Sequence, residues 1–362
     1  MQSTYPGALE RIKPFVPAVV AHFIEMARKD KTFSTDHSAK SLFFRRKGKK
    51  KMQILLQLLL LVAGFVLLMK GADWFVDGAA AIADKLGIPQ LVIGLTIVAM
   101  GTSLPEAAVS ISAATKGSAA ITIGNVLGSN IMNVLVILGL TSVICAIPVQ
   151  KSTVVYEIPF TILITVILAG LGLVDNQIAR WEGGILWGLM IVYLLYLLKM
   201  AKNGKTQEEE ENEGKPKPAW LLLLMVVVGA AMIVFGSDVT VNAATALAAM
   251  FGMEERFIGL TIVAFGTSLP ELVTSVTAAV KKKPDIAVGN IVGSNVFNIL
   301  FVVGTTALIT PVDYASSFLM DSLVAIAAVV LLFLCVARKR KLGRIGGLIM
   351  LMGYAAYFIC IL

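Results

Sequence analysis

Two stretches of this sequence repeat the same unusual combination of residues. Gly101-Thr-Ser-Leu-Pro-Glu106 returns as Gly266-Thr-Ser-Leu-Pro-Glu271. Downstream of each comes a second motif, Gly124-Asn-Val-Leu-Gly-Ser-Asn-Ile-Met-Asn133 and Gly289-Asn-Ile-Val-Gly-Ser-Asn-Val-Phe-Asn298. Glu106 and Glu271 sit inside long apolar runs, where an ionised carboxylate costs at least a few kcal/mol unless it faces partners, a cavity or an ion. Each follows a proline, which has no N–H to donate. Pro105 and Pro270 therefore free the carbonyls of Gly101 and Gly266 four residues back and break the helix. In lipid a freed carbonyl must find protein, water or a cation. Thr102 and Ser103 precede Glu106 by four and three residues, which predicts one shared helical face, and Thr267 and Ser268 stand likewise before Glu271. Asn125, Ser129 and Asn133 form a polar stripe at i, i+4, i+8, repeated as Asn290, Ser294 and Asn298.

This inventory is carboxylates, hydroxyls, amide oxygens and open carbonyls, without a nitrogen or sulfur ligand. It suits a hard cation: Ca²⁺ takes roughly 6–8 oxygens and Na⁺ accepts similar ones. Two carboxylates balance one Ca²⁺ or about two Na⁺. His22 and His37 both lie within the first 51 residues, so the rest of the chain has no His for a Zn, Cu or haem site. Cys145, Cys335 and Cys360 are scattered in apolar context and read as packing residues. No resident cofactor is expected.

Blander roles belong to several neighbours. Gly124-x-x-x-Gly128 and Gly289-x-x-x-Gly293 suit close helix packing alongside any ion role. Asn130 and Asn295, off the stripe, divide between packing bonds and support of the ligands. Asp73 and Asp238 read as interfacial anchors, and Lys281 to Lys283 as a solvated topology signal.

The elements that must position these residues are membrane helices. Of 362 residues 57% are hydrophobic and 15% charged, with mean hydropathy +0.84; too little polar surface remains for a soluble enzyme. Ten apolar segments cover about 53–84, 90–114, 119–142, 153–173, 183–201, 219–249, 257–280, 286–308, 317–337 and 344–362. A polar linker, 202–218, divides them five and five. Shifting by 165 residues lays Ile93–Gly139 on Ile258–Gly304 with 26 identities in 47 positions, without a gap. That is a duplication. Five spans per copy is an odd number, so the second copy enters from the opposite side. The fold class expected is an all-α polytopic membrane protein, ten transmembrane helices in two inverted-topology five-helix repeats, 52–201 and 219–362.

Loop charges set the orientation. Fifteen basic residues follow spans 1, 3, 5, 7 and 9, from Lys85 and Lys151 through Lys281–Lys283 to Arg344; the other side has Lys116, Arg180 and Arg256. Positive-inside bias places the fifteen, and the linker, in the cytoplasm of a cell with this protein in its plasma (inner) membrane, with Met52 and the C-terminus outside. The formal net charge of +8 lies wholly in residues 1–51, and 52–362 sum to zero. A nucleic-acid role read from pI ≈ 9.3 is thereby excluded. Residues 1–51 contradict the orientation of everything after them. They read as a disordered basic extension or as an upstream stretch included ahead of a start at Met52.

Together the paired motifs resemble the α-repeats of the Ca²⁺:cation antiporter superfamily, the sodium/calcium exchangers and their prokaryotic relatives, over Met52 to Leu362. The resemblance implies four clustered ion sites built by the second, third, seventh and eighth helices. By motif match the ligands are Ala99 (carbonyl), Thr102, Ser103, Glu106, Ser129 and Asn133, with partners Ala264, Thr267, Ser268, Glu271, Ser294 and Asn298. It implies that the two Glu hold Ca²⁺ centrally, that Na⁺ shares the flanking oxygens, and that the long first and sixth helices slide for alternating access. Some members, potassium-dependent ones included, carry Asp where this chain has Asn298, which argues against K⁺ co-transport. The expected function is thus a secondary antiporter exchanging Ca²⁺ for Na⁺. Its partners are those ions and the bilayer, with no obligate protein partner. One rival uses H⁺ on a buried Glu; another is a cation channel with the two Glu at its constriction. For a membrane enzyme the body offers no His, no Cys pair and no nucleophile–base constellation.

Overall fold

A computed structural model describes residues 37–115, 119–203, 218–252 and 264–361, and the architecture is helical throughout. The sequence dictates this, because a backbone in lipid must satisfy every N–H and C=O within its own segment. Helix α1 is His37–Leu86. The second apolar segment is a broken rod, α2 (Gln90–Thr102) and α3 (Leu104–Thr115), bent by 48°. Next come α4 (Ile121–Ile144), α5 (Thr153–Asp175) and α6 (Arg180–Asn203). Beyond the linker, whose residues 204–217 lie outside the described ones, α7 is Ala219–Met250. Then follow α8 (Ala264–Thr267), α9 (Leu269–Val280), α10 (Pro284–Ile309), α11 (Phe318–Ala337) and α12 (Arg344–Ile361). Seven of these helices are long and apolar enough to cross a membrane, and the bent pair makes an eighth; α9 and α12 are shorter apolar helices. The chain is a multi-pass membrane protein.

At the N-terminus, where a disordered extension or an upstream stretch was expected through residue 51, residues 37–51 belong to helix α1. Residues 38–51 contain no proline and a single glycine, so no strong breaker separates them from the apolar run. Residues 1–36, Lys116 and Arg256 lie outside the described residues.

Two small strand pairs stitch the loops. β1 (Ile147–Pro148), between α4 and α5, pairs antiparallel with β4 (Lys341–Leu342), between α11 and α12. β2 (Gln177–Ile178), after α5, pairs with β3 (Val312–Asp313), after α10. A buried core of Val, Leu and Ile from α4, α5, α10 and α11 fills the space between.

The two long helices, α1 and α7, meet backbone to backbone. Gly64, Gly71 and Gly78 recur every seven residues along α1, and Gly229 and Gly236 do so along α7. Gly71 faces Gly229 and Gly64 faces Gly236, an antiparallel seam in which the paired glycines let the two backbones approach closely. Each long helix also rests on the glycine just before a break: the Phe75 ring covers Gly101, and Val241 covers Gly266.

The turn between α9 and α10 holds α1 by charge. Lys281 Nζ lies 3.1 Å from Asp73 Oδ1 and 2.9 Å from Asp77 Oδ2, and Lys283 Nζ lies 3.8 Å from Asp77 Oδ1. Burial lowers the pKa of Lys283 against the opposing pull of Asp77 and Asp84. Lys281 and Lys283 are therefore ion-pair donors rather than a merely solvated signal. Asp73 pairs with Lys281, beside Asp77, a neighbour the sequence reading did not single out.

Candidate functional site

The site is built where the broken helices meet. At Ser103 (φ −86°, ψ 8°) and at Ser268 (φ −90°, ψ 3°) the chain leaves α-helical geometry for one residue and restarts at Leu104 and Leu269. Pro105 and Pro270 fall in the first turn of the new helices, where a missing N–H breaks no bond. The carbonyl that Pro270 frees at Gly266 is taken by the protein itself: Ser237 Oγ on α7 donates to it at 2.9 Å. Of the partners expected for this freed carbonyl (protein, water or a cation), it is the protein that supplies one. The residue matching Ser237 in the first copy is Ala72, which has no hydroxyl to offer. Ser237→Ala should leave the buried Gly266 carbonyl without that donor and lower stability by about 1–3 kcal/mol. Thermal unfolding of the purified protein in detergent checks this.

The break also redirects the hydroxyls. Thr102 and Ser103 were expected on the face of Glu106; instead they cross to the other copy. Ser103 Oγ donates to Glu271 Oε1 at 2.9 Å, and Thr102 Oγ1 donates to Asn290 Oδ1 at 2.9 Å and to the Ala99 carbonyl at 3.2 Å. Ser294 Oγ donates to the same Ala99 carbonyl at 3.3 Å. Thr267 of the second copy reciprocates by facing the Glu106 carboxyl, beside Ser129 of the first copy, without a hydrogen bond to either carboxylate oxygen. Apart from the half-buried Thr267, these side chains are buried, and both glutamates are 0% exposed.

Behind the carboxyls the two copies use the same scaffold. Asn125 Nδ2 donates to the Glu106 carbonyl at 3.2 Å and to Ser110 Oγ at 3.0 Å. Asn290 Nδ2 donates to the Glu271 carbonyl at 3.3 Å and to Ser275 Oγ at 2.9 Å. The first member of each stripe therefore fixes backbone, while Ser129 and Ser294 lie beside the Glu106 and Glu271 carboxyls. Ser110 and Ser275 were missed, although their identity across the shift was a usable signal. Gly289 and Gly293 pack on Gly94, Leu95 and Ala99, so the packing reading holds for the second copy. Ala264 opens α8, and its side chain is not among those described.

Several buried oxygens here make no hydrogen bond within the described residues: Glu106 Oε1 and Oε2, Glu271 Oε2, Asn133 Oδ1, Asn298 Oδ1 and Ser268 Oγ. Leaving such atoms bare costs free energy unless something else satisfies them. Among the described residues no group of three or more His, Cys, Asp or Glu gathers, so any cation held here leans on neutral oxygens as well as the two carboxylates.

Paired carboxylates, ringed by neutral oxygens and buried in a bundle of membrane-length helices, define a membrane cation carrier. Known proteins sharpen that class. The sodium/calcium exchanger protein family matches this chain twice, over residues 56–199 and 221–362. A putative antiporter, CaxA of Alkalimonas amylolytica, is 39% identical over 314 residues, covering 84% of this chain and 98% of that protein. The sodium/calcium exchanger MaX1 of Methanosarcina acetivorans is 31% identical over 350 residues, covering 84% and 98%. Among solved structures, the sodium-calcium exchanger NCX_Mj soaked with 10 mM Na⁺ and no Ca²⁺ superposes with a TM-score of 0.73 at 31% identity, over 84% of this chain and 99% of that one. The chain belongs to the sodium/calcium exchanger family of membrane cation antiporters.

Proposed function

We propose that the chain carries Ca²⁺ across the plasma membrane in exchange for Na⁺ by alternating access. The observation that supports this most directly is the set of six buried oxygens, drawn from both copies, that make no hydrogen bond. Three of them are carboxylate oxygens, and the charge of two carboxylates matches one Ca²⁺. In this reading Glu106 and Glu271 hold Ca²⁺ between them. Thr102, Ser103, Ser129, Asn133, Thr267, Ser268, Ser294 and Asn298, with the Ala99 and Ala264 carbonyls, shape flanking positions for Na⁺. Sharing of ligands makes the two ions compete, which couples their movements. No resident cofactor, enzymatic step or obligate protein partner is required beyond ions and lipid.

The topology that goes with it is ten crossings in two inverted repeats, 52–201 and 219–362, with the 202–218 linker in the cytoplasm and Met52 and the C-terminus outside. The strand pairs support it. Under the 165-residue shift β1 corresponds to β3, yet β1 pairs with β4 while β3 pairs with β2. The membrane-length α5 separates β1 from β2, so equivalent strands belong to opposite ends of the bundle. Lys151, Arg338, Lys339, Arg340 and Lys341 cluster around the β1–β4 pair, as a cytoplasmic end requires.

Exchange with H⁺ is the second reading. It is favoured by the two bare oxygens of Glu106, which a proton would partly satisfy. Radiolabelled Ca²⁺ uptake into proteoliposomes preloaded with Na⁺, K⁺ or acid separates the alternatives. Uptake driven by internal Na⁺ is expected. Uptake driven by acid alone would make H⁺ the counter-ion, and uptake indifferent to every internal cation would indicate a channel.

A further inference from the structure

Asn130 and Asn295 lie where α4 crosses α10, one residue beyond Ser129 and Ser294. Asn130 Nδ2 donates to the backbone carbonyl of Asn295 at 3.2 Å, and Asn295 Nδ2 donates to the carbonyl of Asn130 at 3.3 Å. A carbonyl can only accept, so each of these amides has its NH₂ end fixed and its Oδ1 turned the other way. Those two oxygens then demand donors. Asn133 Nδ2 donates to Asn295 Oδ1 at 3.0 Å, and Asn298 Nδ2 donates to Asn130 Oδ1 at 3.2 Å. With their NH₂ groups thus spoken for, Asn133 and Asn298 expose Oδ1, and neither oxygen makes a hydrogen bond within the described residues.

An amide flipped by half a turn has nearly the same shape but offers N–H groups, which repel a cation. Packing alone does not tell the two states apart; the chain of donors does. We infer that Asn130 and Asn295 are positioning residues that set the polarity of the amide ligands, Asn295 for Asn133 and Asn130 for Asn298. The inference rests on the proposed role of Asn133 and Asn298 as ligands. A second feature points to the same residues. The helix widens to a π-turn beginning at Asn133 in α4 and at Asn298 in α10, and such turns gather at functional positions.

The crossed pairing gives a test, because a carboxylate presents oxygen on both faces and needs no orienting partner. Equilibrium binding of radiolabelled Ca²⁺ to the purified full chain is measured for Asn130→Ala, Asn298→Asp, Asn133→Asp and the double variants. Asn130→Ala should weaken binding by roughly tenfold to a hundredfold, the usual cost of losing a partner that orients a ligand. In the Asn298→Asp background the same change should cost less than about threefold, while in the Asn133→Asp background it should keep its full effect. Equal losses in all three backgrounds would mean that Asn130 only joins two helices, and the inference would fall. If Asn130→Ala is not recovered from membranes, Asn130→Leu, of similar size, allows the same comparison. Should Asn133→Ala and Asn298→Ala both bind Ca²⁺ as well as the parent, the ligand assignment itself is wrong, a result distinct from the first.

Discussion

Glu106→Gln is expected to abolish Ca²⁺ exchange and yet to yield a protein that melts no lower, and in ion-free buffer higher, than the parent. The two effects have one cause. Glu106 buries both carboxylate oxygens without a hydrogen bond among the described residues and faces Glu271, a second buried carboxyl, across the site. Without ions that arrangement is unfavourable, because unpaired polar atoms and like charges both raise the energy of the folded state. The glutamine relieves part of it. With Ca²⁺ the sign reverses, since removing one partner of a desolvated charge pair costs on the order of 2–5 kcal/mol. That corresponds to a loss of about thirtyfold to several thousandfold in affinity. Glu271→Gln should lose exchange equally, but it should gain less stability, because Glu271 Oε1 already accepts from Ser103. Thermal melts with and without Ca²⁺ check the pair: the parent gains from the ion by mass action, and neither variant does. Full uptake by either variant would locate the site elsewhere.

Gly229→Leu is expected to remove transport by a different route, by prising α1 from α7. A Cβ at Gly229 would stand 2.7 Å from the Phe75 nitrogen and 2.9 Å from the Gly71 carbonyl oxygen. Both are backbone atoms in a helix and cannot step aside. Gly229→Ala alone should cost about 1–3 kcal/mol, as overpacking commonly does, and leucine at the same place should separate the helices. Phe75, which covers Gly101 just before the first break, would then be displaced with α1. Gly170→Ala is the control. Nothing lies within 4 Å of a Cβ there, so alanine in the interior of α5 should be neutral or stabilising by up to about 1 kcal/mol. Melting temperature and Ca²⁺ uptake of the three variants decide the matter.

The spans were legible because lipid imposes its thickness on the sequence as blocks of apolar residues. Most expected segments fall on helices to within a few residues, although α1 begins earlier, at His37, and residues 257–263 of the seventh segment lie outside the described ones. Duplication made the site legible too: chemistry repeated at a constant shift of 165 residues exposed both glutamates with their hydroxyls and amides. What periodicity could not supply is direction across the copies. A helical wheel put Thr102 and Ser103 beside Glu106, and only the break at Ser103 turns them toward the opposite copy. Single residues without a counterpart stayed hidden for a related reason. Ser237 stands where the first copy has Ala72, and Asp77 where the second has Asn242, so neither forms a matched pair. Glu157, buried near the start of α5 with the Tyr196 hydroxyl donating to it, faces Ser322 across the shift and belongs to no motif.

The strand pairs carry a consequence for how the molecule is made. Ile147 finds its backbone partner only in Leu342, and Ile178 only in Val312. During synthesis the first five helices must therefore wait in the bilayer with the edges of β1 and β2 open until nearly the whole second copy has been threaded in. The last pair to close, β1 with β4, lies just ahead of the final helix. Each copy thus supplies strand partners for the other, so these ties between the halves close only late in synthesis.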